Sequence, residues 1–146
     1  MDSLTAVTQS IDHLLQQSVN DGLLDDQFLQ LMQLQDETNP DFVAEVVDLY
    51  FEDSASKIEK LAARLHEPLV DFNEMDQIVH QFKGSSASFG ARTMAAVCVQ
   101  LRDACHQQNQ VACQQLVSQL QENFNALRER LQAFMQLEAR RKQLSK

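Results

Sequence analysis

The chain has 146 residues, 44% hydrophobic and 23% charged, with a formal net charge of −9. That length supports one domain with a real core, and that apolar share excludes a disordered chain. The acidic balance excludes nucleic acid as the main ligand, and three glycines with two prolines leave too few turns for a many-stranded sheet.

Leu4, Val7, Ile11 and Leu14 recur at helical spacing and predict a short first helix, ended by the Asn20-Asp21-Gly22 turn. Leu24, Phe28, Leu31 and Met32 predict a second, reaching about Asp36. Asn39-Pro40 is read as the start of a third, asparagine as N-cap and proline at the first helical position. Its apolar stripe is Phe42, Val46, Leu49, Tyr50, Ile58, Leu61 and Leu65, and Pro68 stops it. Asp71 followed by Glu74 resembles a capping box and opens a fourth helix. Phe72, Met75, Val79, Phe82, Ser86 and Phe89 form its core face, and Gly90 is a natural C-terminal cap.

A fifth helix points Met94, Val97, Leu101 and Cys105 inward. The sixth runs from near Asn109 to about Arg140, where Cys113, Val117, Leu120, Phe124, Leu127, Leu131 and Phe134 repeat as a bundle seam. At roughly 45–50 Å it outruns its partners, so its basic end (Arg140, Arg141, Lys142) is expected to project. Short connections make neighbours antiparallel. The expected fold is all-α, an antiparallel up-down four-helix bundle with two short additional N-terminal helices. Residues 1–37 hold those helices and 38–146 the bundle of a single domain. Twenty glutamines alternate with apolar residues and read as solvated helix faces.

Cys98, Cys105 and Cys113 form no CxxC pair and sit at apolar positions, as reduced core cysteines of a reducing compartment do. The opening MDSLTAVTQSIDHLL is acidic where a signal peptide would be basic, and no stretch approaches the roughly 20 apolar residues of a membrane span. A soluble intracellular protein with no membrane partner is expected. Residues 1–80 carry 3 Lys/Arg against 17 Asp/Glu, whereas residues 81–146 carry 9 against 4. The basic half begins beside His80 and suits an acidic or phosphorylated partner.

Residues 80–90, HQFKGSSASFG, carry the chemistry. A glycine inside a helix costs about 1 kcal/mol relative to alanine, so Gly84 implies that something approaches the backbone there. Around the fourth helix His80 falls roughly 130° from the centre of the core face, with Gly84 one turn on and Ala87 and Ser88 close by. Lys83, three residues on, has a stem long enough to bring an ammonium towards the imidazole. A neutral imidazole nitrogen is a good nucleophile near neutrality. Phosphoryl transfer has a loose, charge-rich transition state that rewards positioning and positive charge. The best-fitting chemistry is therefore transient phosphorylation of His80. Lys83 would neutralise phosphoryl oxygens and Gly84 would clear the approach. Ser85, Ser86 and Ser88 keep the helix slim and offer hydroxyls where they face outward, and Arg102 on the fifth helix is a second cation. Gln81 is grouped with these supporting residues, and Gln77 and Ala87 are assigned to partner docking. His13, His66 and His106 lack such surroundings and read as ordinary surface residues.

HQFKGSSASFGA resembles the phosphorylation-site signature of histidine-containing phosphotransfer proteins, especially the plant type. NPDFVAEVVDLYFEDS and LDDQFLQLMQLQDE are similar to that type as well, so the resemblance covers nearly the whole chain. It implies a helical bundle that shuttles phosphoryl groups between receiver aspartates and has no kinase activity of its own. It makes His80 the phosphoacceptor, Lys83 the phosphate-stabilising cation and Gly84 the clearance residue, and matches Arg102 to a basic position near the histidine. Its partners would be receiver domains of hybrid histidine kinases and response regulators. Mg²⁺ would come from the receiver, with no cofactor of the chain's own. The resemblance further implies cytokinin signalling and residence in cytoplasm and nucleus, and a monomer is the simplest state. Some plant relatives lose the histidine and act as inhibitors, but His80 is present here. Phe89 replaces a smaller aliphatic residue, a change that bears on packing. Cys98 falls where some relatives carry a polar residue that bonds the imidazole, so His80 must be oriented by other groups.

Two other classes compete. A di-iron bundle needs Glu-x-x-His pairs on facing helices, and no glutamate is followed by histidine at that offset, although Asp76 and His80 are spaced i, i+4. An adaptor binding receiver domains or partner helices without phosphotransfer would use the long amphipathic last helix, which bundle core explains better.

Overall fold

The computed structural model describes residues 3–146, and among them six α-helices and no strand occur. Met1 and Asp2, the start of the expected N-terminal segment, lie outside the described residues. The helices are α1 (Ser3–Asn20), α2 (Asp26–Gln33), α3 (Phe42–Leu65), α4 (Phe72–Phe89), α5 (Arg92–His106) and α6 (Gln110–Leu144). Short polar side chains fix three of the starts by accepting from orphan N–H groups: Asp25 from Gln27, Asp71 from Glu74 and Asn109 from Ala112. Gly90 ends α4 at φ 93°. Its carbonyl accepts from the Asp25 N–H at 3.0 Å, and a Cβ there would sit 2.4 Å from the Phe28 nitrogen. Only glycine permits that approach of α2 to the end of α4.

The start of α3 differs from expectation. Asn39 does not cap it. Its side chain accepts from the Asp36 N–H and donates to the Leu34 carbonyl, closing the α2–α3 turn, while Gln35 Oε1 accepts from Val43 N at 2.9 Å.

Helices α3, α4, α5 and α6 each touch two others in a closed antiparallel cycle, the four-helix bundle, with α1 laid against α6 and α2 against α3 and α4. Every residue assigned to the α6 seam is buried, as are Met94, Val97, Leu101 and Cys105 of α5. On α3 the inward face is rotated from the expected stripe: Val43, Val47 and Ser54 are buried, and Leu49 is 65% exposed. Phe89 stacks on Tyr50 with centroids 4.2 Å apart and lies 5.3 Å from Phe28, so the larger ring joins an aromatic cluster.

At 35 residues α6 is about 52 Å long, and its surplus length supports α1 rather than standing free. Arg130 reaches Ser18 and Asp21 at the end of α1. Of the basic end, Arg140 is exposed as expected, whereas Lys142 is tied back to the α2–α3 turn. Arg141 pairs with Glu138, and Lys142 Nζ donates to the Pro40 carbonyl at 2.7 Å and lies 3.2 Å from Asp41 Oδ1. The Asp41 carboxylate and the Pro40 carbonyl at that turn recruit a cation that spacing alone left unpartnered. No helix among the described residues is long and apolar enough to cross a membrane.

Candidate functional site

α4 and α5 run antiparallel across the short Gly90-Ala91 turn, which sets Arg102 of α5 beside the middle of α4. Met75, Val79, Phe82, Ser86 and Phe89 are buried, so the opposite face of α4 is turned to solvent, and His80 is exposed on it. Ser86 is sealed in the core, its hydroxyl 2.7 Å from the Tyr50 hydroxyl, which burial pushes up to about 12.

The imidazole is not free to spin. Arg102 Nη1 lies 3.0 Å from His80 Nδ1. A guanidinium only donates, so Nδ1 is the acceptor and its lone pair is occupied. Arg102 is in turn gripped by Asp76, one turn before His80 on α4: Nε to Oδ1 is 3.0 Å and Nη2 to Oδ2 is 3.4 Å. His106 Nε2 reaches the same Oδ1 at 3.1 Å. The hydrogen bond from Arg102 holds the Asp76 carboxyl below its ordinary value, and that same bond raises the Arg102 guanidinium. The group that orients His80 is therefore Arg102, anchored by Asp76. Cys98 plays no part: it is wholly buried, and burial pushes its thiol up to about 12 against the pull of Lys57 and Lys83.

His80 Nε2 has no hydrogen-bond partner among the described residues. Beside it, a Cβ built on Gly84 meets nothing within 4 Å, so no internal contact demands the glycine. Gln77, Gln81, Ala87 and Ser88 are exposed on the same side of the helix. Lys83 is half-buried and has no hydrogen bond or ion pair among the described residues, whereas Lys57 on α3 is tied to Asp53 at 2.6 Å. Ser85 lies on another flank. Its hydroxyl donates to the Phe82 carbonyl, and with Ser88 it lines a hollow of about 370 Å³ that Leu31, Leu49 and Phe89 also border.

The structure thus joins His80 to Arg102 and leaves Gly84 and Lys83 open nearby. It adds two residues that the sequence reading missed, Asp76 as the anchor and His106 as its second partner, the latter expected to be an ordinary surface residue. The available signal was Arg102 and His106 spaced i, i+4 on α5, facing a carboxylate spaced i, i+4 with His80 on α4. Among the described residues no group of three or more His, Cys, Asp or Glu is arranged to hold a metal ion.

Comparison with known proteins gives the family and the fold. The Hpt domain family model matches residues 45–130. The chain is 46% identical over 118 residues to histidine-containing phosphotransfer protein 1 of Arabidopsis thaliana, covering 81% of this chain and 77% of that one. It is 44% identical over 133 residues to histidine-containing phosphotransfer protein 1 of Oryza sativa, covering 91% and 90%. Its fold matches the crystal structure of a histidine-containing phosphotransfer protein from Medicago truncatula with a TM-score of 0.91 at 36% identity, over 100% of this chain and 97% of that one.

Proposed function

The chain belongs to the histidine-containing phosphotransfer family, and on that premise we propose that Nε2 of His80 carries a phosphoryl group between receiver aspartates. In the forward step Arg102 releases Nδ1, which takes the ring proton. The Nε2 lone pair so freed bonds phosphorus as the P–O bond to the donor aspartate breaks, its electron pair returning to the carboxylate. The Nδ1 proton then leaves to solvent. The reverse exchange passes the group to a second receiver. A hybrid histidine kinase supplies the donor aspartate and a response regulator the acceptor. The chain is a carrier with no kinase activity of its own.

One observation carries this reading: an exposed imidazole held at Nδ1, with Nε2 open beside a glycine that no internal contact requires. Lys83, without a carboxylate partner, is the cation for the phosphoryl oxygens. Gln77, Gln81, Ala87 and Ser88 form the surface on which a receiver rests, and Ser85 contributes slimness. The receiver brings the Mg²⁺. By family resemblance the relay is that of cytokinin signalling, in cytoplasm and nucleus, and residues 1–146 act as one monomeric unit.

The test is phosphate incorporation from a phosphorylated receiver domain. The wild-type chain acquires acid-labile, base-stable phosphate and His80→Gln acquires none. Equal incorporation by the two proteins overturns the assignment.

A further inference from the structure

We infer that the Asp76–Arg102 pair is a clamp on Nδ1 that sets the lifetime of the phosphorylated histidine. The inference rests on the reading that His80 carries the phosphoryl group. Nδ1 has one in-plane lone pair, and Arg102 Nη1 occupies it at 3.0 Å. A neutral ring in that position bears its proton on Nε2. Loading requires the opposite tautomer, with the lone pair on Nε2 and the proton on Nδ1, so Arg102 releases Nδ1 while the P–N bond forms. Once that bond exists and the Nδ1 proton has left to solvent, the nitrogen is an acceptor again, and Arg102 recloses on it.

The consequence lies in how the bond breaks. In hydrolysis, water oxygen bonds phosphorus as the P–Nε2 bond breaks and its electron pair goes to the ring. With a proton on Nδ1 the ring leaves as neutral imidazole, whereas without it the leaving group is an imidazolate, which is far poorer. A guanidinium seated on Nδ1 excludes that proton. Asp76 keeps it seated by gripping Nε and Nη2, which leaves Nη1 for the imidazole. The charged and titratable groups that act on the pair are, besides its own members Asp76 on α4 and Arg102 on α5, Asp103 and His106 on α5. Only Arg102 among them is bonded to the ring. Asp76 and Arg102 are thus positioning residues: the P–N bond is kept from hydrolysis, by denying the ring its leaving-group proton, until a docked receiver displaces the guanidinium.

The full chain, its Asp76→Asn form and its Arg102→Ala form are loaded with phosphoramidate as a small-molecule donor, freed of donor and followed near pH 7. Histidine ¹⁵N chemical shifts report the tautomer of unloaded His80, and phosphate release reports the lifetime. The clamp predicts proton on Nε2 in the wild type, a shift towards Nδ1–H in both variants, and a phosphohistidine lifetime shortened roughly tenfold in Arg102→Ala, less in Asp76→Asn. A loss of fold would leave no tautomer shift specific to His80, and circular dichroism of each variant identifies it. Equal lifetimes, or an unchanged tautomer in Arg102→Ala, overturn the clamp while leaving the carrier role standing. A wild type that takes no phosphate at His80 from phosphoramidate or from a phosphorylated receiver overturns both.

Discussion

Arg102 and His80 meet across the α4–α5 contact, Nη1 to Nδ1 at 3.0 Å, while Asp76 holds the far side of the same guanidinium. One nitrogen of the imidazole is thereby fixed and the other presented. An exposed histidine without such a hold would sample several rotamers, so the contact orders the resting ring that a receiver first meets, before the guanidinium is displaced.

Gly84 separates stability from function. Its backbone is ordinary helix, and a Cβ there meets nothing within 4 Å. Gly84→Ala should therefore stabilise the protein by up to about 1 kcal/mol. The same methyl stands where the receiver approaches, so transfer should fall by about tenfold or more. Thermal unfolding and transfer kinetics on one sample check both. A variant with raised stability and undiminished transfer would remove the clearance role.

Lys83 has no carboxylate to satisfy, so Lys83→Ala should leave Tm within about 1 °C. Loss of a charge-assisted contact of about 1.5–3 kcal/mol to the phosphoryl oxygens should slow transfer about 10- to 100-fold. Rapid-quench transfer measurements from a phosphorylated receiver read this directly.

Asp76 gives a pH signature. Its carboxyl is held below its ordinary value by the bond from Arg102, so the unfolded chain binds that proton more readily than the folded one. The stabilisation is complete above the usual carboxylate range and is lost as pH falls below it. Tm of the wild type should thus exceed that of Asp76→Asn at pH 6–7, and the two should converge towards pH 3. A half-exposed pair keeps the gap small, on the order of 1 kcal/mol or less.

Tyr50 and Phe89 stabilise α4 from behind. Tyr50→Phe leaves the buried Ser86 hydroxyl without its partner at 2.7 Å and should cost about 1–2 kcal/mol. Phe89→Leu loses the ring stacked at 4.2 Å on Tyr50 and should cost a similar amount. Denaturant titrations measure both, and transfer from a receiver should be unchanged, since neither side chain reaches the imidazole.

The parts of this fold written in one helix were legible in the sequence. The α6 seam keeps strict three-four spacing, and Asp71 and Gly90 bracket α4 by local hydrogen bonds, so pattern and cap agreed with structure. What depended on a second element was not. The N-terminus of α3 is capped by Gln35 from across a turn, and Lys142 finds Pro40 from more than a hundred residues away. Leu49 was misplaced because an apolar residue off the buried face was taken for part of it. That face runs Val43, Val47, Tyr50, Ser54, Ile58, Leu61 and Leu65 at three-four spacing, with a serine at a core position where its neighbours close over it. In the same way His80 could be placed on an open flank from α4 alone, but Asp76 and His106 gain meaning only once α5 is set in register beside it.

The identity of the nitrogen that receives the phosphoryl group decides whether His80 is the carrier. The most direct measurement is to incubate the wild-type chain with a phosphorylated receiver domain and locate the transferred phosphate by ³¹P–¹⁵N correlation. The expected result is loss of phosphate from the receiver and its appearance on Nε2 of His80. Phosphate that stays on the receiver, or arrives at any other residue, would contradict it.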